Sequence, residues 1–194
     1  MRARAARTHA RIIEVATEQF GNHGTETSLN EIAKLAGIGP GTLYRHFPSR
    51  ESLIDACMAN WEAQLLAAAE RAAASDGPTE ELLARWADEF TSHISVFRGG
   101  PSRLLRALGN DESLWMRRWD ILEKATQRVL DRAADLGTPV AFDAHRVCIM
   151  MCGVAATVEE AVLDYDDRCV LLRVLAHGLL SSPHTPPHTP PRGT

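Results

Sequence analysis

Residues 27–47 read TSLNEIAKLAGIGPGTLYRHF, and this stretch decides the fold. Its spacing predicts two short helices joined by a tight turn. Ser28 suits the N-cap of the first, and Glu31 follows three residues later at capping-box spacing. Ile32, Ala33, Leu35 and Ala36 give that helix an apolar face. Gly37 can take the positive φ that ends it. Pro40 fits the first turn of a new helix, where its missing N–H is not needed. Gly39 is left as N-cap, a weaker cap than Ser or Asp. The second helix carries Thr42, Tyr44, Arg45 and His46 outward, with Leu43 and Phe47 inward. A short helix led by small residues and loaded with hydroxyl, aromatic and basic groups suits the major groove of DNA.

Charge supports this placement. The net charge of −4 over 194 residues looks wrong for a nucleic-acid binder, but it is unevenly divided. Residues 1–50 hold seven Lys/Arg and four Asp/Glu, a net of +3; residues 51–194 hold 14 and 21, a net of −7. The positive end is the one expected to meet DNA, and an acidic body disfavours non-specific binding elsewhere.

Outward from that stretch, alternating strand patterns are nearly absent and helical periods dominate, so the fold is expected to be all-α. Arg2, Arg4 and Arg7 mark residues 1–7 as a flexible basic arm. A first helix is expected over 8–23, with Ile12, Ala16 and Phe20 as its stripe. Residues 8–48 then form a three-helix DNA-binding head. Ser49 caps a long helix over 50–74, about 37 Å at 1.5 Å per residue. Further helices are expected at 79–97, 102–108, 112–136, from Asp143 onward, and 166–180, completing a six-helix body over 49–181. Leu114, Ile121, Ala125 and Val129 form the stripe of the 112–136 helix. The next helix is apolar all round from Val147, which implies burial on every side and a subunit partner. The tail 182–194 repeats HTPP and reads as disordered. The longest apolar run, 147–158, is too short for a membrane span, and the arginine-rich start lacks a secretion-signal core. A cytoplasmic protein with four reduced cysteines is the expectation.

The text RIIEVATEQFGNHGTETSLNEIAKLAGIGPGTLYRHFPSRESLIDA, residues 11–56, resembles the DNA-binding domain of the tetracycline-repressor (TetR/AcrR) family of bacterial regulators. The glycine after the first helix, the Thr-Ser before the second, I-A-x-x-A-G-I at the turn and G-T-L-Y-R-H-F-P-S-R-E-x-L all fall in register. The resemblance implies a homodimer on a pseudo-palindromic operator, with half-sites about 34–36 Å apart or more widely spaced. It implies phosphate contacts from Thr27 or Ser28, Tyr44, His46 and Arg50, with Pro40, Gly41 and Thr42 at base edges. Arg45 would read a guanine or hold phosphate. Many relatives carry Ser where Gly39 stands, so one phosphate or cap hydroxyl is missing here.

The resemblance also implies a body that binds a small effector, moves the long helix and releases DNA; the expected protein is thus a repressor. Aromatic and Met side chains offer walls for an apolar or flat ligand: Trp61, Trp86, Phe90, His93, Phe97, Leu104, Trp115, Trp119, Met150 and Met151. Each also suits an ordinary core. The last two helices are expected to pair across the dimer through Val147, Met151, Val154, Val158, Leu171, Val174 and Leu175. His145, Cys148 and Cys152 share one helix face and leave a thiol or metal sensor as an alternative, though three ligands on one helix cannot complete a tetrahedral site unaided. A regulator switched by a protein partner is another. No cofactor or resident metal is expected, and no nucleophile, phosphate-loop or metalloprotease motif points to an enzyme.

Overall fold

A computed structural model describes residues 2–74, 76–95, 112–161 and 164–181. Among them are eight helices and no strand. They are α1 (Arg2–His23), α2 (Leu29–Leu35), α3 (Pro40–His46), α4 (Arg50–Ala73), α5 (Thr79–Ser95), α6 (Glu112–Asp135), α7 (Ala144–Glu160) and α8 (Tyr165–Ser181). The expected helix over 102–108 and the tail lie outside the described residues.

The N-terminal arm is a correction. Helix α1 begins at Arg2, so arginines read as mobile belong to its first two turns. Ala and Arg are strong helix formers and nothing between Arg2 and Thr8 breaks the pattern. The Thr8 hydroxyl donates to the Arg4 carbonyl at 3.0 Å, inside a continuous helix.

Two hydrophobic clusters organise the described residues, and α4 belongs to both. The head cluster joins Ile12, Val15, Ala16 and Phe20 of α1 to Leu29, Ile32, Leu43 and Phe47, then takes Leu53 and Cys57 from α4. The body cluster begins one residue later, at Met58, and continues through Trp61, Leu65, Ala68, Ala69 and Ala72 on the same helix. Ile54 packs against both clusters. The start of α4 is fixed by a capping box: Ser49 Oγ accepts from Ser52 N–H (3.2 Å), and Ser52 Oγ accepts from Ser49 N–H (3.1 Å). Helix α6 is tied along α4 by Arg117 to Asp55 (3.1 Å), Arg128 to Glu70, and Arg132 Nε to the Ala73 carbonyl (3.1 Å). Helices α5 and α8 are linked by Arg168 to Asp88 at 2.7 Å.

Within the single chain α7 is covered on one side. Val147, Cys148, Met151 and Ala155 face the chain's own core, while Ile149 is 51% exposed and Gly153 is exposed. Helix α8 buries Leu172, Ala176 and Leu179 and leaves Val170 and Val174 at 59% and 66% exposure.

Candidate nucleic-acid interface and effector body

The turn between α2 and α3 is built as its glycine demands. Gly37 has φ of 72°, its N–H donates to Lys34 O (3.1 Å), and Ile38 N–H donates to Ala33 O (3.0 Å). This paired pattern closes a helix end on a left-handed residue. Gly39 then stands at the N-cap of α3 in extended backbone, and Pro40 takes the first helical position. A Cβ placed on Gly39 or on Gly41 would meet nothing within 4 Å. The leading edge of α3 is therefore small and open.

Leu43 and Phe47 are buried and anchor α3 to the head core. Pro40, Gly41, Tyr44 and Arg45 are exposed, and Thr42 and His46 are half-buried. Arg45 folds along its own helix, donating from Nε to Gly41 O (3.2 Å) and from Nη2 to Thr42 Oγ1 (3.0 Å). These contacts are short-range and exposed, so a phosphate or guanine competes with them at little cost. His46 packs 5.9 Å from the ring of His9, which itself sits 4.8 Å from Phe47. His9 has no periodic signature, and sequence reasoning passed over it.

Around α2 the side chains divide their work. Ser28 caps α2 with its backbone, but its hydroxyl makes no cap hydrogen bond, so the Ser28–Glu31 capping box is absent. Ser28 is exposed. Thr27 Oγ1 donates to Gly24 O at 2.8 Å and thereby closes the α1–α2 loop. Arg50 reaches back from α4, its Nη1 donating to Thr27 O (2.7 Å) and to Thr25 O. Arg50 thus clamps the loop that positions α2. Leu35, expected on the apolar face, is exposed, because the short helix points only Leu29, Ile32 and Ala33 at the core.

In the body, Trp86 and Phe90 are fully buried, in edge-to-face contact at 5.8 Å, and the Trp86 indole donates to Thr126 (3.3 Å). Met151 is buried in the same cluster, and Met150 packs at its edge. Trp61 is buried on α4, its indole donating to the His93 carbonyl at 3.4 Å. The His93 ring contacts Glu89 O and borders a surface groove of about 410 Å³ with Ala63, Gln64, Ala67 and Arg71. Trp119 is half-buried and donates to His145 Nδ1 at 2.9 Å. Phe97 and Leu104 lie outside the described residues, as does the side chain of Trp115.

His145, Cys148 and Cys152 do not converge. The His145 Nδ1 lies 2.9 Å from the Trp119 indole nitrogen and 2.8 Å from Glu123 Oε1, while the Cys148 sulfur lies 3.2 Å from Thr126 Oγ1. Burial pushes the Cys148 thiol up to about 12 and that of Cys152 up to about 11. Both are held as unreactive thiols at neutral pH, which works against a thiol-sensing role.

The described residue most out of place is Arg118, which sequence reasoning missed. It is 2% exposed, and its guanidinium lies 5.7 Å from the centre of the Trp61 ring. Among the described residues, neither Nε nor Nη1 has a hydrogen-bond partner. Burial pulls its pKa down to about 10, which leaves it cationic at neutral pH. The signal was present: Arg118 occupies the vacant slot between Leu114 and Ile121 on the apolar stripe of α6.

Of the expected dimer residues, Val147 and Met151 are consumed by the chain's own core, while Val154, Val158 and Leu175 are half-buried. Leu171 and Val174 are exposed, and Val170 and Ile149 join them as surface apolar groups.

Residues 12–57 match the profile described as bacterial regulatory proteins, tetR family. The HTH-type transcriptional regulatory protein RaaS of Mycobacterium tuberculosis is 30% identical over 138 residues, 71% of this chain and 62% of that protein. An HTH-type transcriptional regulator of Staphylococcus aureus (strain USA300) is 48% identical over 54 residues, 27% of this chain and 29% of its own length. The chain therefore spans less than two thirds of these relatives. A TetR transcriptional regulator from Streptomyces coelicolor superposes with a TM-score of 0.66 at 27% identity, over 89% of this chain and 98% of that one. A head that matches in sequence and a two-part helical fold that matches over nearly the whole chain give one conclusion: this protein belongs to the TetR family of bacterial regulators.

Proposed function

We propose that the chain is a dimeric, ligand-responsive transcriptional repressor. One α3 from each copy reads a half-site of a pseudo-palindromic operator. A small apolar or aromatic effector bound in the body releases the DNA. The observation that carries this reading is the sharing of α4 between two cores: Leu53 and Cys57 complete the head, and Met58 and Trp61 open the body. A rigid helix with one end in each core converts a change of body packing into a change of head position.

The effector must prefer the released state, since equal affinity for both states shifts nothing. A hundredfold loss of operator affinity corresponds to about 2.7 kcal/mol of preference. The copies are held together in this reading by the apolar surface of α7 and α8, where Ile149, Val170, Leu171 and Val174 are exposed on a single chain. Such a patch fits burial against a second copy.

The test uses operator DNA enriched from a random duplex pool by the protein itself. Compounds that raise the melting temperature are then titrated into the complex and followed by fluorescence anisotropy. The reading expects at least one to weaken DNA binding. If every stabilising compound leaves the complex intact, the effector role is wrong.

A further inference from the structure

Helix α6 carries four arginines that face α4, and three of them have partners there: Arg132 Nε donates to the Ala73 carbonyl. Arg117 meets Asp55 and Arg128 meets Glu70, both near the surface. Arg118 lies deeper than either, and among the described residues no carboxylate forms an ion pair with it. It is buried against the ring of Trp61, which belongs to the apolar core of the body. A buried cation without a counter-ion costs several kcal/mol, and an apolar side chain of similar volume would remove that cost. Packing alone gives no reason for an arginine at this slot.

We infer that Arg118 is the anchor for the effector, and that the effector is an organic monocarboxylate with an apolar or aromatic body. This rests on the effector-responsive reading above and names its ligand class. Three features point to it. Among the described residues, two of the three guanidinium nitrogens, Nε and Nη1, are unpartnered, and a carboxylate accepts a guanidinium's N–H groups in a fork. The single positive charge buried among the described residues is neutralised by a single negative one, whereas a phosphate dianion would leave the site negative. The Trp61 ring beside the guanidinium offers an aromatic surface at the same place.

The position also fits a switch. Trp61 is one helical turn beyond Cys57, the last α4 residue of the head core. A carboxylate that draws the guanidinium off the Trp61 ring acts on α4 where the two cores meet. Trp61 also ties α4 to the α5 backbone through His93 O, so its displacement would loosen a second contact.

The experiment uses the full chain and matched probes: benzoate, phenylacetate, hexanoate and decanoate, each with its primary amide. Tryptophan fluorescence and thermal unfolding report binding, for the wild type and for Arg118→Met and Arg118→Lys. At least one acid is expected to bind roughly tenfold or more tightly than its amide. Arg118→Met should lose about a hundredfold in that affinity, with Arg118→Lys in between. Without ligand, Arg118→Met should melt higher than the wild type.

Equal binding of acid and amide, or unchanged affinity in Arg118→Met, would overturn the inference. So would a lower melting point for Arg118→Met, which would mark the guanidinium as structural. Tighter binding of benzyl phosphate than of phenylacetate would overturn the monoanion. If neutral compounds bind and release operator while acids do not, the anchor fails and the effector reading stands. If neither acids nor neutral compounds bind, both fail.

Discussion

Gly37 and Gly39 are two residues apart and carry opposite requirements. Gly37 lies at φ 72°, where an L side chain is strained, so Gly37→Ala should cost about 1–3 kcal/mol in chemical denaturation. Gly39 is extended with open space around it, so Gly39→Ser should fold normally and gain a few tenths of a kcal/mol as a better N-cap. It should also tighten operator binding through the restored hydroxyl; weaker binding would show that the open edge itself is needed. The sequence marks both glycines as turn residues, but only the backbone says which is required. The thiols make a second test. Burial raises Cys57 from 9.0 to about 11, so the folded chain holds this proton more tightly than the unfolded one. The stability linked to it is therefore complete below pH 9.0 and is lost as pH rises toward 11. At pH 8, Cys57 should react with a disulfide reagent about a hundredfold more slowly in the native chain than in urea; equal rates would contradict its place in the head core. Arg118 left its signal as a gap in a stripe, which is easily passed over. A stripe search collects apolar residues, and this charge fills an apolar slot.

Helix α4 is the element on which the coupling depends. Its buried stripe of Leu53, Cys57, Trp61 and Leu65 stands at helical spacing in the sequence, because long helices state their period many times. That the stripe serves two cores, and changes owner between Cys57 and Met58, was not legible, because the pattern is continuous across the change. Asn60 is exposed just past this point. Asn60→Pro removes a helical hydrogen bond and kinks α4, at a cost of about 3 kcal/mol. The expected outcome is separate melting of head and body, with effector binding retained but no longer felt at the operator. A single cooperative melt with intact release would place the coupling elsewhere. Short elements were less readable: Leu35 and the missing Ser28 cap bond show that a seven-residue helix offers too few turns to fix its face. The start of α1 at Arg2 shows the converse, since net charge masked good helix formers.

At the scale of the molecule, the all-helical architecture followed from period and capping, while the assignment of faces on α7 and α8 needed the packing itself. Val147 and Met151 share a helix with Ile149, yet the first two are interior and the third is exposed. Runs that are apolar on every side carry no periodic clue to their orientation. Val174, 66% exposed in the single chain, gives the sharpest test of assembly. Val174→Asp should leave the fold and melting of the monomer little changed, since it removes no core contact, and should shift the species to monomer in analytical ultracentrifugation. A dimer that survives would place the interface outside this face. The account as a whole, an exposed α3 presented twice by a two-fold dimer, is tested most directly by enrichment of binding sites from random duplex DNA. It predicts a pseudo-palindrome whose half-sites are about 34–36 Å apart or more widely spaced. An enriched single half-site with no repeat, or no enriched sequence at all, would contradict it.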